Sequence, residues 1–218
     1  MAKIDTWLSK QLPNIMNNLE VVKKTDFLHI SNNSNITKMN PRIGERQMKI
    51  EDRTIPRICG CDSLLGCVFG HSGVRENPGE FFTVYRISGV GVCRPSRDLV
   101  PDAHVSRELW IPAYGPEALE VYPEKVGSFI VHEVKNIITD GKVDVMDTVL
   151  YVKVDSDFML TNNIAGKGLY SIYIPNSTLK AVSYMGKGET PAFAESVINP
   201  LNYAVWAEAV KGYNNKKR

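Results

Sequence analysis

Apolar side chains at Ile4, Trp7, Leu8, Leu12, Ile15, Met16 and Leu19 recur at a largely helical spacing. Together with Asp5 as a cap and Pro13 as an interruption, they predict two short amphipathic helices or one kinked helix over Ile4 to Val22. The pattern then changes. "DFLHIS" reads as a short strand, and "NNSNITKMNPRIGERQMKIED" as a polar loop with room for one helical turn. "PRICGC" predicts a second short strand, and "DSLLGCVFGHSG" a helix opened by Asp62 or Ser63 and closed by its glycines.

Beyond that unit the chain is rich in β-branched and aromatic residues. "EFFTVYRISGVGV", "HVSRELWIPAY" and "VGSFIVHEVKNI" each predict a strand, and "KVDVMDTVLYVKVD", "GLYSIYIP" and "LKAVSYMG" continue the series. "TPAFAESVINPLNYAVWAEAVKGY" predicts a closing helix, broken at Pro200. Strands that follow one another without regular strand-helix alternation imply an α+β fold around a mainly antiparallel sheet. Three stretches are expected: an N-terminal helical segment at 1–24, a β-rich core at 25–135, and a β-rich continuation ending in helix at 136–218. The last belongs to the same domain as the core, since no composition shift marks a linker.

A length of 218 residues suits one large domain, and 43% apolar with 23% charged residues is ordinary globular usage. The net charge of +2 and pI near 8.3 fall short of the basic balance of a dedicated nucleic-acid binder. No apolar run is long enough to span a bilayer and no signal peptide is recognisable at the N-terminus, so a cytoplasmic location with no membrane partner is expected. Cys59, Cys61, Cys67 and Cys93 are then expected as reduced thiols.

Familiar catalytic signatures are missing. The sequence holds no G-x-x-x-x-G-K-[ST] phosphate loop, no G-x-S-x-G elbow and no H-E-x-x-H, and "GVGVCR" lacks the third glycine of a dinucleotide fingerprint. Cys59 and Cys61 share a strand face, and Cys67 and His71 a helix face, which makes a tetrahedral zinc site conceivable. Small buried thiols explain the same letters, and no metal is assigned. His29 faces the sheet side opposite Leu28 and Ile30, either as a satisfied structural histidine or as part of a site. Glu108, in "VSRELWIP", is either an edge-strand charge or a site carboxylate.

A strand holding "LHIS", a polar loop with "PRIG", the strand-helix unit "RICGCDSLLGC", the aromatic strand "FFTVYRI" and a strand carrying "ELWIP" together resemble the ADP-ribosyltransferase family. The resemblance covers roughly residues 25 to 135. It implies an NAD-dependent transfer of ADP-ribose to a protein or nucleic-acid acceptor, with NAD consumed as substrate across a split sheet. It assigns His29 to the first-strand position that orients a ribose, assisted by Ser31, and Glu108 to the carboxylate that favours the oxocarbenium-like transition state. Arg57 or Arg42 would meet the pyrophosphate, and Tyr85 would stand in for a nicotinamide-stacking residue, because "RICGC" lacks the family's usual aromatic or hydroxyl pattern there. The chain also looks like small bacteriophage proteins. That likeness implies either a transferase acting on host components in the host cytoplasm or a non-catalytic β-rich structural or host-interaction protein.

Overall fold

The computed structural model describes residues 18–22, 26–44, 51–71, 74, 78–89, 91–100, 103–113, 120–139, 142–161, 163–174 and 197–216. Within them the chain is sheet-dominated, with every strand pairing antiparallel. The strands are β1 (Leu19–Val22), β2 (Phe27–Ser31), β3 (Arg57–Cys61), β4 (Phe81–Ile87), β5 (Val92–Pro95), β6 (Glu108–Pro112), β7 (Glu124–Thr139), β8 (Lys142–Val154), β9 (Phe158–Met159), β10 (Ile164–Ala165), β11 (Gly168–Ile174) and β12 (Val197–Pro200). Three helical elements accompany them: α1 (Leu64–Gly70), α2 (Ala103–Ser106) and α3 (Tyr203–Lys216). Ten strands form one sheet in the order β1-β5-β6-β3-β2-β4-β7-β8-β11-β12, and β9 and β10 form a separate ribbon. None of the described helices is long and apolar enough to cross a membrane.

Alternation along the strands sorts the apolar side chains onto two faces. Leu28 and Ile30 of β2, Phe82 and Val84 of β4, and Leu150, Val152 and Val154 of β8 build the larger core on one face. There α1 buries Leu64, Leu65, Cys67, Val68 and Phe69 against it. The helix begins where Ser63 Oγ accepts the Gly66 N–H at 3.2 Å, and it has no charged residue in its first or last turn, as suits a buried element. Gly66 lets α2 approach closely, since a Cβ there would lie 2.5 Å from the Ser106 carbonyl oxygen. On the other face Phe27, Tyr85, Ile87, Ile58, Leu109 and Ile111 form a second core under Met39 and Val121.

Several elements differ from the sequence expectation. Leu19–Val22 is a strand, not the end of a helix: its β-branched valines pair with Cys93 and Val92 of β5. The rest of the predicted N-terminal helix lies outside the described residues, as do "LKAVSYMG" and the segment Thr190 to Ser196. "EFFTVYRISGVGV" is two strands, because Gly89 at φ +76° breaks the run and β5 pairs with β1 and β6 rather than with β4. "HVSRELWIPAY" opens as the helical turn α2, and Arg107 at φ +56° turns the chain into β6. Val197–Pro200 is an edge strand on β11, so the closing helix starts only at Tyr203. The 135/136 junction falls inside β7, which pairs with β4 on one side and β8 on the other.

Candidate functional site

The feature that creates a site is a gap in the sheet. β2 pairs with β4 along its whole length, from Phe27–Ile87 to Ser31–Thr83, but it meets β3 at the single pair Leu28–Cys61. Beyond that pair the two strands part, and the His29 ring spans the opening, with Nδ1 2.9 Å from the Cys59 carbonyl oxygen. A carbonyl oxygen only accepts, so Nδ1 carries the proton and Nε2 keeps its lone pair. Burial lowers the His29 pKa below 6.5, opposed by the bond to Cys59 and reinforced by His71 and the Arg42 guanidinium. The ring is therefore neutral at pH 7, with one fixed donor and one fixed acceptor.

Two pockets meet at this opening. The larger, about 690 Å³, is lined by His29, Ser31, Cys59, Arg57, Ile58 and the loop residues Asn33, Asn35 to Asn40, Arg42 and Gly44. The smaller, about 120 Å³, is bordered by His29, Ile30, Cys59, Gly60, Cys61, Cys67, Gly70, His71 and Glu108. His29 and Cys59 belong to both. The structure thus brings His29, Ser31 and Arg42 into one hollow and sets Glu108 at the border of the smaller pocket, on the sheet face of Leu28 and Cys61, opposite to the face of His29 and Ser31.

Glu108 reaches that position through strand pairing. It lies opposite Cys61, as Trp110 lies opposite Cys59, so all four side chains share a sheet face. Trp110 Nε1–H donates to Glu108 Oε1 at 2.6 Å, which fixes the carboxylate. Just before it, Arg107 Nη2 lies 2.7 Å from Asp62 Oδ2, tying the start of β6 to the entry of α1. Burial raises the Asp62 pKa, and the Arg107 and Arg94 guanidinia oppose that rise.

The remaining expected residues divide. Arg42 is exposed on the pocket wall, anchored by two backbone bonds to Arg57 at 3.0 and 3.1 Å. Arg57 borders the same pocket, but its guanidinium is only 2% exposed and is committed elsewhere. Its Nη1 donates to the carbonyls of Asp52 at 2.9 Å and Ile55 at 3.1 Å, and the group stacks 3.8 Å from the Trp110 ring centroid. Of the two arginines considered for a phosphate, Arg42 is the one with an exposed side chain. Tyr85 does not offer a stacking face; it is 1% exposed and packs in the second core beneath the loop.

The thiols behave as packing. Cys67 Sγ–H donates to the Leu28 carbonyl at 3.2 Å, and none of the four cysteines is in a disulfide. Among the described residues no three His, Cys, Asp or Glu side chains are grouped as they would be around a metal ion. Solvent reaches Cys59 through the pocket, yet the protein around it pushes its pKa to about 12, chiefly by desolvation and then by the Glu108 carboxylate.

The asparagine-rich wall of the large pocket was not singled out from the sequence. Its signal is a dense polar run, "NNSNITKMN", placed directly after a strand whose histidine faces the same side. No family model matches the chain, and no curated protein or solved structure does either.

Proposed function

We propose that the chain transfers ADP-ribose from NAD to a macromolecular acceptor, with NAD seated at the opening between β2 and β3. The observation that carries this reading is the convergence of His29, Ser31 and Arg42 on one hollow of about 690 Å³, within the usual few-hundred to 1,000 Å³ of small-molecule sites, next to the smaller pocket that Glu108 borders. Each side chain has a chemically suitable part. The bare Nε2 of neutral His29 accepts a hydrogen bond from a ribose hydroxyl. Ser31, two residues on and on the same strand face, supplies a second hydroxyl contact. The exposed Arg42 fork matches pyrophosphate oxygens.

Glu108 acts on the reacting sugar. As the bond from ribose C1′ to the nicotinamide nitrogen breaks, the electron pair leaves with nicotinamide and positive charge grows on the sugar. A carboxylate fixed beside it stabilises that charge in the transition state more than in the ground state. The acceptor's lone pair then bonds to C1′, and the acceptor loses a proton to solvent.

Thermal denaturation with NAD tests the seat. A ligand that binds only the folded state at about a hundredfold over its Kd adds about 2.7 kcal/mol, so millimolar NAD must raise the melting temperature. An unmoved transition rules out the reading. Glu108→Gln tests the chemistry, because the amide oxygen still accepts from Trp110 while the charge is gone. Nicotinamide release is expected to fall by roughly a hundredfold or more with NAD affinity little changed. Wild-type release in that variant removes the proposed role of Glu108.

A further inference from the structure

We propose that Tyr85 is a positioning residue for the large pocket: its hydroxyl latches the loop after β2 into the shape that receives NAD, a role that rests on the reading above. Tyr85 lies opposite His29 in the β2–β4 register, and its ring is buried in the second core. From there its hydroxyl emerges under the loop. It donates to the Asn33 carbonyl oxygen at 2.8 Å and accepts the Ile36 N–H at 3.1 Å. Both groups belong to one turn, so a single hydroxyl closes it.

The rest of the loop is held by other means. Asn33 N–H bonds Ser31 Oγ at 3.1 Å and Asn35 N–H bonds Asn33 Oδ1 at 3.0 Å, which stiffens the turn internally. Further on, Met39 exchanges two backbone bonds with Val121, and Arg42 does the same with Arg57. The Tyr85 hydroxyl thus fixes the first half of the pocket wall to the sheet, and the two bridges fix the second. Asn33, Asn35 and Thr37 all line the hollow, so the turn's shape sets where their polar groups point. Without the hydroxyl the Asn33 carbonyl and Ile36 N–H lose a partner in a part-buried place, and the turn must open towards water to satisfy them.

Tyr85→Phe keeps the ring and removes only the latch. The expected result is a folded protein whose Ile36 amide exchanges at least tenfold faster, whose NAD midpoint rises roughly tenfold, and whose KM for nicotinamide release rises while kcat stays within about twofold. Tyr170→Phe, which removes a hydroxyl bonded to the Gly166 carbonyl at 2.8 Å outside the pocket, is the control and leaves all three unchanged. A wild-type NAD midpoint in Tyr85→Phe overturns the latch and leaves NAD binding standing. If the unaltered protein does not bind NAD, the functional reading fails, and the exchange measurement decides the latch alone: unaltered Ile36 exchange in Tyr85→Phe overturns it. Should that variant not fold, an Ile36 amide that exchanges as fast as a free peptide in the unaltered protein overturns it.

Discussion

At the scale of single residues the site combines accessibility with chemical restraint. Cys59 lies in both pockets, where a reactive thiol would be a natural nucleophile, but its environment opposes ionisation. Desolvation and the Glu108 carboxylate outweigh the Arg57 guanidinium and push its pKa to about 12. At pH 8 Cys59 is then a thiolate far less often than an ordinary cysteine, whose pKa is about 8.5. Alkylation by iodoacetamide is therefore expected to be at least about a hundredfold slower than for free cysteine, and to climb steadily with pH well past 9. Mass spectrometry of a pH series checks this, and a rate that levels off near pH 9 shows the thiol to be ordinary. The same restraint applies to His29, whose neutral ring has one proton position fixed by the Cys59 carbonyl. His29 and Ser31 stand out in the sequence because they alternate on one strand. Nothing local pairs them with Glu108, 79 positions from His29, because that relation depends on β3 lying between β2 and β6.

At the scale of elements, strands whose identity is local were legible and those whose identity comes from a distant partner were not. "FLHIS", "RICGC" and "FFTVYRI" carry enough β-branched, aromatic and alternating character to be read in isolation. Leu19–Val22 continues a helical spacing and becomes a strand only because β5 offers it a partner, a case of tertiary pairing overriding a local pattern. The opening between β2 and β3 is likewise invisible in either strand alone. Its narrow end is set by Gly60, where an added Cβ would lie 2.3 Å from the Leu28 carbonyl oxygen and 2.6 Å from the Phe27 ring. The backbone oxygen and the fully buried ring leave little room to yield. Gly60→Ala is expected to force β2 and β3 apart and to cost about 1–3 kcal/mol or more, read as a lower urea midpoint. A midpoint equal to the unaltered protein's means the strands are not held as tightly as the geometry indicates.

At the scale of the whole molecule, the sheet joins the stretch that carries the candidate site to the stretch that carries none of it. β7 pairs with β4 through Arg86–Glu124 to Phe81–Ile130 and with β8 along its far side, so the site strands and the C-terminal strands share one ladder. The larger core crosses the same boundary: Leu150, Val152, Val154, Phe158, Leu160, Ile172 and Ile174 pack with Leu28, Phe82, Val84 and Phe129. Full burial of such a side chain is worth about 1.5–3 kcal/mol, so losing these seven removes roughly 10–20 kcal/mol of apolar burial. That is comparable to or larger than the whole net stability of about 5–15 kcal/mol typical of a domain. A chain ended after Lys135 is therefore expected to lose its cooperative melt and its near-ultraviolet circular dichroism, even though every candidate site residue remains in it. A sharp, reversible transition in that shortened chain shows instead that residues 25–135 stand alone. In that case the strands after β7 decorate the site-bearing unit rather than complete its core.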